Sequence, residues 1–292
     1  MGSTICRDQS PLSSKCSAKG CNKCVTSRPS QNLYNTKPTE IDMHGKDPMY
    51  NFGKPIETNK YKKNELSVVS FTSTDPNFKS FALSKKFLKT VYKNGGQSFY
   101  CNEHFDESFH FKSFKSYKPQ NIKSKRSYRM EFEHIVPAEN FGRHFKSWRA
   151  GDLKCITKKG KAFKGRNCAR KTSEKFRLME ADPINLVPSI GAINGRRSNY
   201  RYAEIEGEKR EFGTCDVEIS NKRFEPRDSV KGDVARTYRY MQVKYNVLLI
   251  GKSSKKLFES WEKKDPISKE ECKRVKSHIN GKEFGIFKGH CS

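Results

Sequence analysis

Glu133 and His134 stand side by side in R-M-E-F-E-H-I-V-P, which runs from Arg129 to Pro137, and Asn194 follows 60 positions after His134 within S-I-G-A-I-N-G-R-R-S-N. Carboxylate and amide oxygens are ligands for a hard cation such as Mg²⁺, and an imidazole can take a proton from water near neutral pH. Together the three residue types suit metal-assisted hydrolysis of a phosphodiester, with Glu133 and Asn194 on the cation and His134 off it, activating water. Asn194 is neutral and leaves room for waters and a phosphate oxygen on the ion. An E-H dipeptide alone is also what an ordinary surface or core histidine looks like, so the surrounding sequence has to decide.

An arginine suits the far side of a phosphate because its planar fork matches two phosphate oxygens. Arg166 and Arg170 lie in G-R-N-C-A-R, at the end of a basic, irregular stretch between Gly151 and Gly165 that reads as a loop. Leu186-Val187-Pro188 reads as the approach to a helix, with Pro188 in its first turn. On that helix Asn194, Arg197 and Arg201 fall at i, i+3 and i+7 and share a face, so a phosphate near Asn194 is expected to meet Arg197 and Arg201.

The elements that must position these groups are partly visible. R-M-E-F-E-H-I-V has the alternation and aromatic content of a strand. Successive strand side chains point to opposite faces, so the strand has to end or twist at Glu133-His134 if both are to address one site; Pro137 is the expected stop. Upstream, Phe78, Phe81, Ala82, Leu88, Val91 and Tyr92 form a helical stripe interrupted by Lys85 and ended near Gly95-Gly96. Downstream, Val234, Tyr238, Met241 and Tyr245 mark one helix, and Ser268 with Glu271 forms an S-x-x-E capping box for a second that carries Cys272, Val275 and Ile279.

The totals name the partner. The chain has 59 Lys and Arg against 32 Asp and Glu, a net charge of +27 over 292 residues. Such an excess fits a polyanion, first of all a nucleic acid, although a lysine-rich composition without special meaning gives the same sum. Residues 1–60 hold nine basic and five acidic residues, so only +4 of the charge lies there and +23 in the rest. Residues 1–63 are polar, without sustained periodicity, and are expected to be mostly disordered; Cys6, Cys16, Cys21 and Cys24 within them fit a small disulfide knot or a zinc site. Residues 64–292 are expected to form a single folded domain. No apolar run is long enough to span a bilayer, and the N-terminus lacks the apolar core of a signal peptide, so any leader is expected to be absent from this chain. Ten cysteines favour an oxidising compartment, hence a secreted or periplasmic protein.

Beyond these residues the chain resembles the bacterial endonuclease I family of periplasmic or secreted non-specific deoxyribonucleases. The likeness runs through F-A-L-S-K-K-F-L-K-T-V-Y, S-F-Y-C, R-M-E-F-E-H-I-V-P-A-E-N-F-G, N-C-A-R-K-T, F-R-L-M-E-A-D-P-I-N-L-V-P-S-I-G-A-I-N-G-R-R-S-N-Y and V-A-R-T-Y-R-Y-M, and covers about two thirds of the chain. The resemblance implies an α+β domain built on a ββα-metal (His-Me finger) core. It implies His134 as general base, Glu133 and Asn194 as ligands of a single Mg²⁺ (with Mn²⁺ or Ca²⁺ as substitutes) and Arg166 on the scissile phosphate. It also implies cleavage of DNA, often of RNA as well, with little sequence preference and 5′-phosphate products. A monomer is expected. The family's C-x-C after the first strand is here C-N-E-H from Cys101, and Ser147 replaces the cysteine before Trp148, so some family disulfides are expected to be absent or re-paired, with Cys155 as a candidate partner.

Two other readings share the composition. One is a basic DNA-binding protein on an inactive nuclease fold, which would be expected to have lost Glu133, His134 or Asn194. The other is a nuclease toxin delivered to another cell, which keeps the chemistry and differs in destination. Any inhibitor or immunity partner is outside what the sequence establishes.

Overall fold

Ser80 opens the first helix, α1 (Phe81–Val91), by accepting a hydrogen bond from the Leu83 amide at 3.4 Å. The computed structural model describes residues 76–207, 209–279, 287 and 291, all within one compact unit, Pro55–Ser292. The extension over residues 1–63 and its four cysteines lie outside the described residues. In α1 the expected stripe packs inward through Leu88, with Phe81, Val91 and Tyr92 against the core. Ala82 is exposed, and Ser84 takes the buried place, its hydroxyl donating to the Ala181 carbonyl at 2.5 Å. The helix stops before Gly95, whose φ of 83° and contact with the Phe105 carbonyl leave no space for a side chain.

The short strands β1 (Gly96–Gln97) and β2 (His104–Phe105) pair antiparallel. Then come β3 (Met130–His134), α2 (Ala138–Gly142), α3 (Lys146–Arg149), α4 (Arg166–Thr172), α5 (Glu174–Glu180), β4 (Leu186–Ile190) and α6 (Gly191–Arg197). β3 pairs antiparallel with β4 in a register from Met130↔Ile190 to His134↔Leu186, and α6 follows β4 without a break. A three-stranded sheet in the order β5 (Arg201–Tyr202), β7 (Arg223–Glu225), β6 (Glu218–Ser220) precedes α7 (Lys231–Tyr245), α8 (Lys252–Lys264) and α9 (Lys269–His278). The fold is therefore α+β.

Several local readings give way to tertiary structure. Pro188 lies within β4, opposite Phe132, and not in a helix; a two-stranded sheet leaves part of each strand's N–H groups out of the ladder, so a proline is accommodated. α6 ends at Arg197, Ser198 adopts a left-handed φ of 52° and Arg201 belongs to β5, so Asn194 and Arg201 do not share a helix face. α8 is a further helix that the sequence pattern does not announce, because only Leu257, Phe258 and Trp261 interrupt its charged sequence, yet Trp261 is fully buried. Ser268 caps α9 by accepting from the Glu271 amide at 3.0 Å, but the Glu271 carboxylate turns to Arg236 at 2.6 Å and leaves the capping box half made. Among the described residues no helix is long and apolar enough to cross a membrane.

Three disulfides join described residues: Cys101–Cys215, Cys155–Cys168 and Cys272–Cys291. The first closes 114 residues of chain, a constraint on the unfolded state worth up to about 4–5 kcal/mol. The second is the re-paired Cys155, and it ties the basic loop to α4.

His278 closes α9 onto α1. Its Nδ1 lies 2.9 Å from the Pro183 carbonyl, which can only accept, and its Nε2 lies 2.8 Å from the Tyr92 hydroxyl, which therefore donates. Burial, reinforced by Arg274, pushes its pKa down from 6.5 to about 3. The folded state thus resists a proton that the unfolded chain accepts below pH 6.5, so stability is full above that pH and is lost as pH falls towards the folded value. We expect this one residue to cost about 3 kcal/mol between pH 6.5 and about pH 4. Urea unfolding at several pH values should show that slope flattened in His278→Gln, whose amide cannot take up the proton.

Candidate functional site

β3 ends at His134, so the chain turns where the alternation would otherwise have separated the two motif residues. Glu133 and His134 line the same cleft, of about 1000 Å³, together with Asn194 and Arg166. The expectation that the strand stops at the motif is met.

His134 is 7% exposed, its ring centre 4.8 Å from that of Phe81. Its Nε2 lies 2.9 Å from the Glu180 backbone oxygen. A carbonyl only accepts, so the proton sits on Nε2 and the lone pair on Nδ1. Burial, with the positive charge of Arg166 nearby, pushes the pKa of His134 down to about 4. The ring is a neutral base throughout the physiological range.

Glu133 is 5% exposed, and burial pushes its pKa up to about 7 against the opposing charge of Arg197. Arg197 Nη1 comes within 3.1 Å of Oε1 as an ion pair but off the hydrogen-bonding line, so this buried oxygen accepts no hydrogen bond from any described residue. Asn194, on α6, donates from Nδ2 to Glu131 Oε2 at 3.0 Å. Among the described residues no cluster of three or more His, Cys, Asp and Glu is arranged to hold a metal ion. A cation in this cleft would rest on one carboxylate and one amide, with water and substrate oxygens completing its shell, which fits Mg²⁺ better than a softer ion. The orphaned Glu133 oxygen is the group that such a cation would satisfy.

Arg166 stands in the first turn of α4 and lines the cleft. Its Nε bonds to Glu180 Oε1, while its Nη2 is buried with no hydrogen-bond partner among the described residues. Arg170, one turn later, gives Nε to Glu180 Oε2 at 2.6 Å and Nη2 to Oε1 at 2.8 Å. Burial would raise the pKa of Glu180, but the two arginines outweigh it and hold it below the ordinary range. The pair expected from G-R-N-C-A-R therefore splits: Arg166 faces the cleft, and Arg170 is spent on Glu180 and does not line it.

Of the other two expected phosphate contacts, Arg197 is corrected, and Arg201 loses only the helix face it was expected to share with Asn194. Arg197 is fully buried and donates to the carbonyls of His134 at 3.1 Å and Ile135 at 2.6 Å. It is a strut between α6 and the end of β3, not a ligand for nucleic acid. Arg201 is exposed on β5 and does not line the cleft. Sequence reasoning missed Glu131, Arg126 and Arg129, which line the cleft; the two-residue spacing of Glu131 and Glu133 in M-E-F-E-H, placing both on one face of a strand, was the available signal. Lys85 and Lys89 also line the cleft from α1; Lys85 reads in the sequence only as an interruption of the apolar stripe, and Lys89 is not singled out there.

The Endonuclease I family model matches residues 31–282, starting inside the segment expected to lie outside the resemblance. Over 224 residues the chain is 33% identical to endonuclease-1 of Buchnera aphidicola subsp. Acyrthosiphon pisum, covering 73% of this chain and 82% of that protein. It is 31% identical to an extracellular deoxyribonuclease of Aeromonas hydrophila over 71% of this chain and 86% of the relative. With a periplasmic deoxyribonuclease of the same organism the identity is 33% over 67% and 78%.

The strut role of Arg197 has a thermodynamic signature. Arg197→Ala leaves Glu133 unpaired and two buried carbonyls unmet, and should cost about 3–5 kcal/mol in urea unfolding. Arg201→Ala, at an exposed position, should stay within about 0.5 kcal/mol of wild type. Equal stability of the two variants would refute the assignment.

Proposed function

Because the chain belongs to the endonuclease I family and is therefore a nuclease that hydrolyses phosphodiester bonds, we propose that it is a Mg²⁺-dependent endonuclease cutting DNA with little sequence preference, in which His134 is the general base, Glu133 and Asn194 hold one cation and Arg166 binds the scissile phosphate. The observation that carries this reading is a pair of buried polar atoms without hydrogen-bond partners on two residues that line one cleft: a carboxylate oxygen, Glu133 Oε1, and a guanidinium nitrogen, Arg166 Nη2. One calls for a cation and the other for an anion, as a metal-bridged phosphate would supply. The succession of β3, its partner β4 and α6 supports a ββα-metal core.

Each residue then has a step. His134 Nδ1 takes a proton from water as its oxygen bonds to phosphorus. The P–O3′ bond breaks, the 3′ oxygen leaves as a hydroxyl after taking a proton from solvent, and the 5′ side keeps the phosphate. Arg166 Nη2 donates to a non-bridging oxygen, an interaction that strengthens as charge builds there. A bound Mg²⁺ supplies Lewis-acid stabilisation of the phosphate and the leaving oxygen. The modest basicity of His134 is the cost of a site dry enough to keep it neutral. RNA is taken as a second substrate, the protein as a monomer, and its compartment as secreted or periplasmic; the three disulfides and the relatives named extracellular or periplasmic support the last.

Supercoiled plasmid, single-stranded DNA and RNA incubated with Mg²⁺ or with EDTA test the proposal. Wild type with Mg²⁺ should cut, and His134→Ala should lose about 10²–10⁴ in rate with DNA binding retained. Retardation of plasmid without cutting in every condition would leave a DNA binder on a nuclease scaffold.

Binding itself should be steeply salt-dependent. Lys85 and Lys89 line the cleft with ammonium groups 4.6 Å from the Phe81 ring centre and 5.3 Å from that of Phe109, respectively. If each meets one phosphate, the Lys85→Ala, Lys89→Ala double variant should lower the slope of log affinity against log salt by about 1.8 and leave the maximal rate near wild type. An unchanged slope would place the DNA elsewhere.

A further inference from the structure

An asparagine is an ambiguous metal ligand, because its amide ends are nearly isosteric and only the oxygen can face a cation. Among the described residues Asn194 has a partner that removes the ambiguity. Glu131, two residues before Glu133 on β3, accepts from Asn194 Nδ2 through Oε2 at 3.0 Å. A carboxylate paired with two arginines only accepts, so Nδ2 faces Glu131 and Oδ1 takes the opposite edge of the amide.

Glu131 is itself held hard. Arg126 gives Nε to Oε1 at 3.0 Å and Nη2 to Oε2 at 2.6 Å, and Arg129 gives Nε and Nη2 to Oε1 at 2.9 and 2.6 Å. The group lies against a helix surface cleared for it. A Cβ on Gly191 would stand 2.8 Å from Glu131 Oε1, and a Cβ on Gly195 would run into Arg126 Nη1. Gly191 and Gly195 are one helical turn apart and flank Asn194 in the sequence G-A-I-N-G, so the motif that carries the amide also makes room for the carboxylate that orients it.

We propose that Glu131 is a positioning residue: clamped by Arg126 and Arg129 on the glycine-cleared face of α6, it sets the Asn194 amide so that Oδ1, not Nδ2, is presented to a divalent cation. This rests on the reading of Asn194 as a cation ligand. Losing an orienting partner of a metal ligand weakens metal binding by about 10- to 100-fold.

The test is Mn²⁺ binding to the full chain, without DNA, by electron paramagnetic resonance titration, with folding checked by circular dichroism. Asn194→Ala examines the underlying reading; wild-type affinity in that variant would remove it and the inference together. With that established, Glu131→Gln should weaken Mn²⁺ binding at least tenfold, since the introduced amide can offer Asn194 a donor and turn its Nδ2 to the cation. In an Asn194→Asp background the same change should strengthen binding, because the introduced amide then donates to a carboxylate that Glu131 would repel. A reversal of sign between the two backgrounds supports orientation through the hydrogen bond. Equal weakening in both would reduce Glu131 to a long-range charge, and no weakening in the Asn194 background would dismiss it; either outcome overturns the proposal.

Discussion

A guanidinium with no solvent exposure holds the end of β3 that carries Glu133 and His134 against α6. Burying a charge is costly unless it is paired and hydrogen-bonded, and Arg197 has both: carbonyls of His134 and Ile135, the Glu133 carboxylate at 3.1 Å and the face of Tyr202, its ring centre 4.7 Å away. The two carbonyls belong to the residues where the strand stops, so the same contacts that satisfy the arginine also fix the turn that brings Glu133 and His134 to one cleft. Arg197 is one turn along α6 from Asn194, and its anchoring therefore sets the distance between that amide and the Glu133 carboxylate. The two carbonyls are met by separate nitrogens of the planar fork, Nη1 and Nη2, a geometry that the single nitrogen of a lysine does not reproduce.

Glu180 does for the other wall what Arg197 does for the strand. Its backbone oxygen selects the His134 tautomer and its carboxylate holds Arg166 and Arg170. His134 and Arg166 are thus located from a single residue at the end of α5. They are also coupled electrically, since the Arg166 charge helps to keep His134 neutral.

The candidate residues that the structure gathers in one cleft, Glu133, His134, Arg166 and Asn194, could be picked out of the sequence more readily than the elements around them. M-E-F-E-H reads as a strand because its alternation survives burial on both faces, and α1 and α7 read as helices because their apolar residues recur at helical spacing, in α1 with a single break at Lys85. Pro188 misled because the rule that places proline in a first helical turn is local, whereas its strand is dictated by pairing with β3. Arg197 and Arg201 misled because arginine is taken as a surface residue by default and because the helix end at Ser198 depends on a left-handed backbone that no neighbouring glycine announces. The burial of Arg197 could have been suspected only from Glu133, an apolar-flanked carboxylate that needs a countercharge.

On the proposed reading the cleft would have to accept a polyanion and a cation in the same few ångströms, two demands that a uniformly basic surface cannot meet. Its arginines resolve the conflict by being paired: Arg126 and Arg129 on Glu131, Arg197 on Glu133 and two carbonyls, Arg166 by one edge on Glu180. Their charge is largely neutralised over short range, so a cation approaching Glu133 meets a carboxylate oxygen and an amide, not a field of guanidinium groups. The unspent positive charge in the cleft stands on Lys85 and Lys89 of α1, where the proposed reading would run the phosphodiester chain. The lysine charges act on polyanion and cation alike, over roughly a Debye length of about 8–10 Å. On the proposed reading, the pairing of the arginines is what would let a chain with a net charge of +27 hold a divalent cation on one carboxylate and one amide.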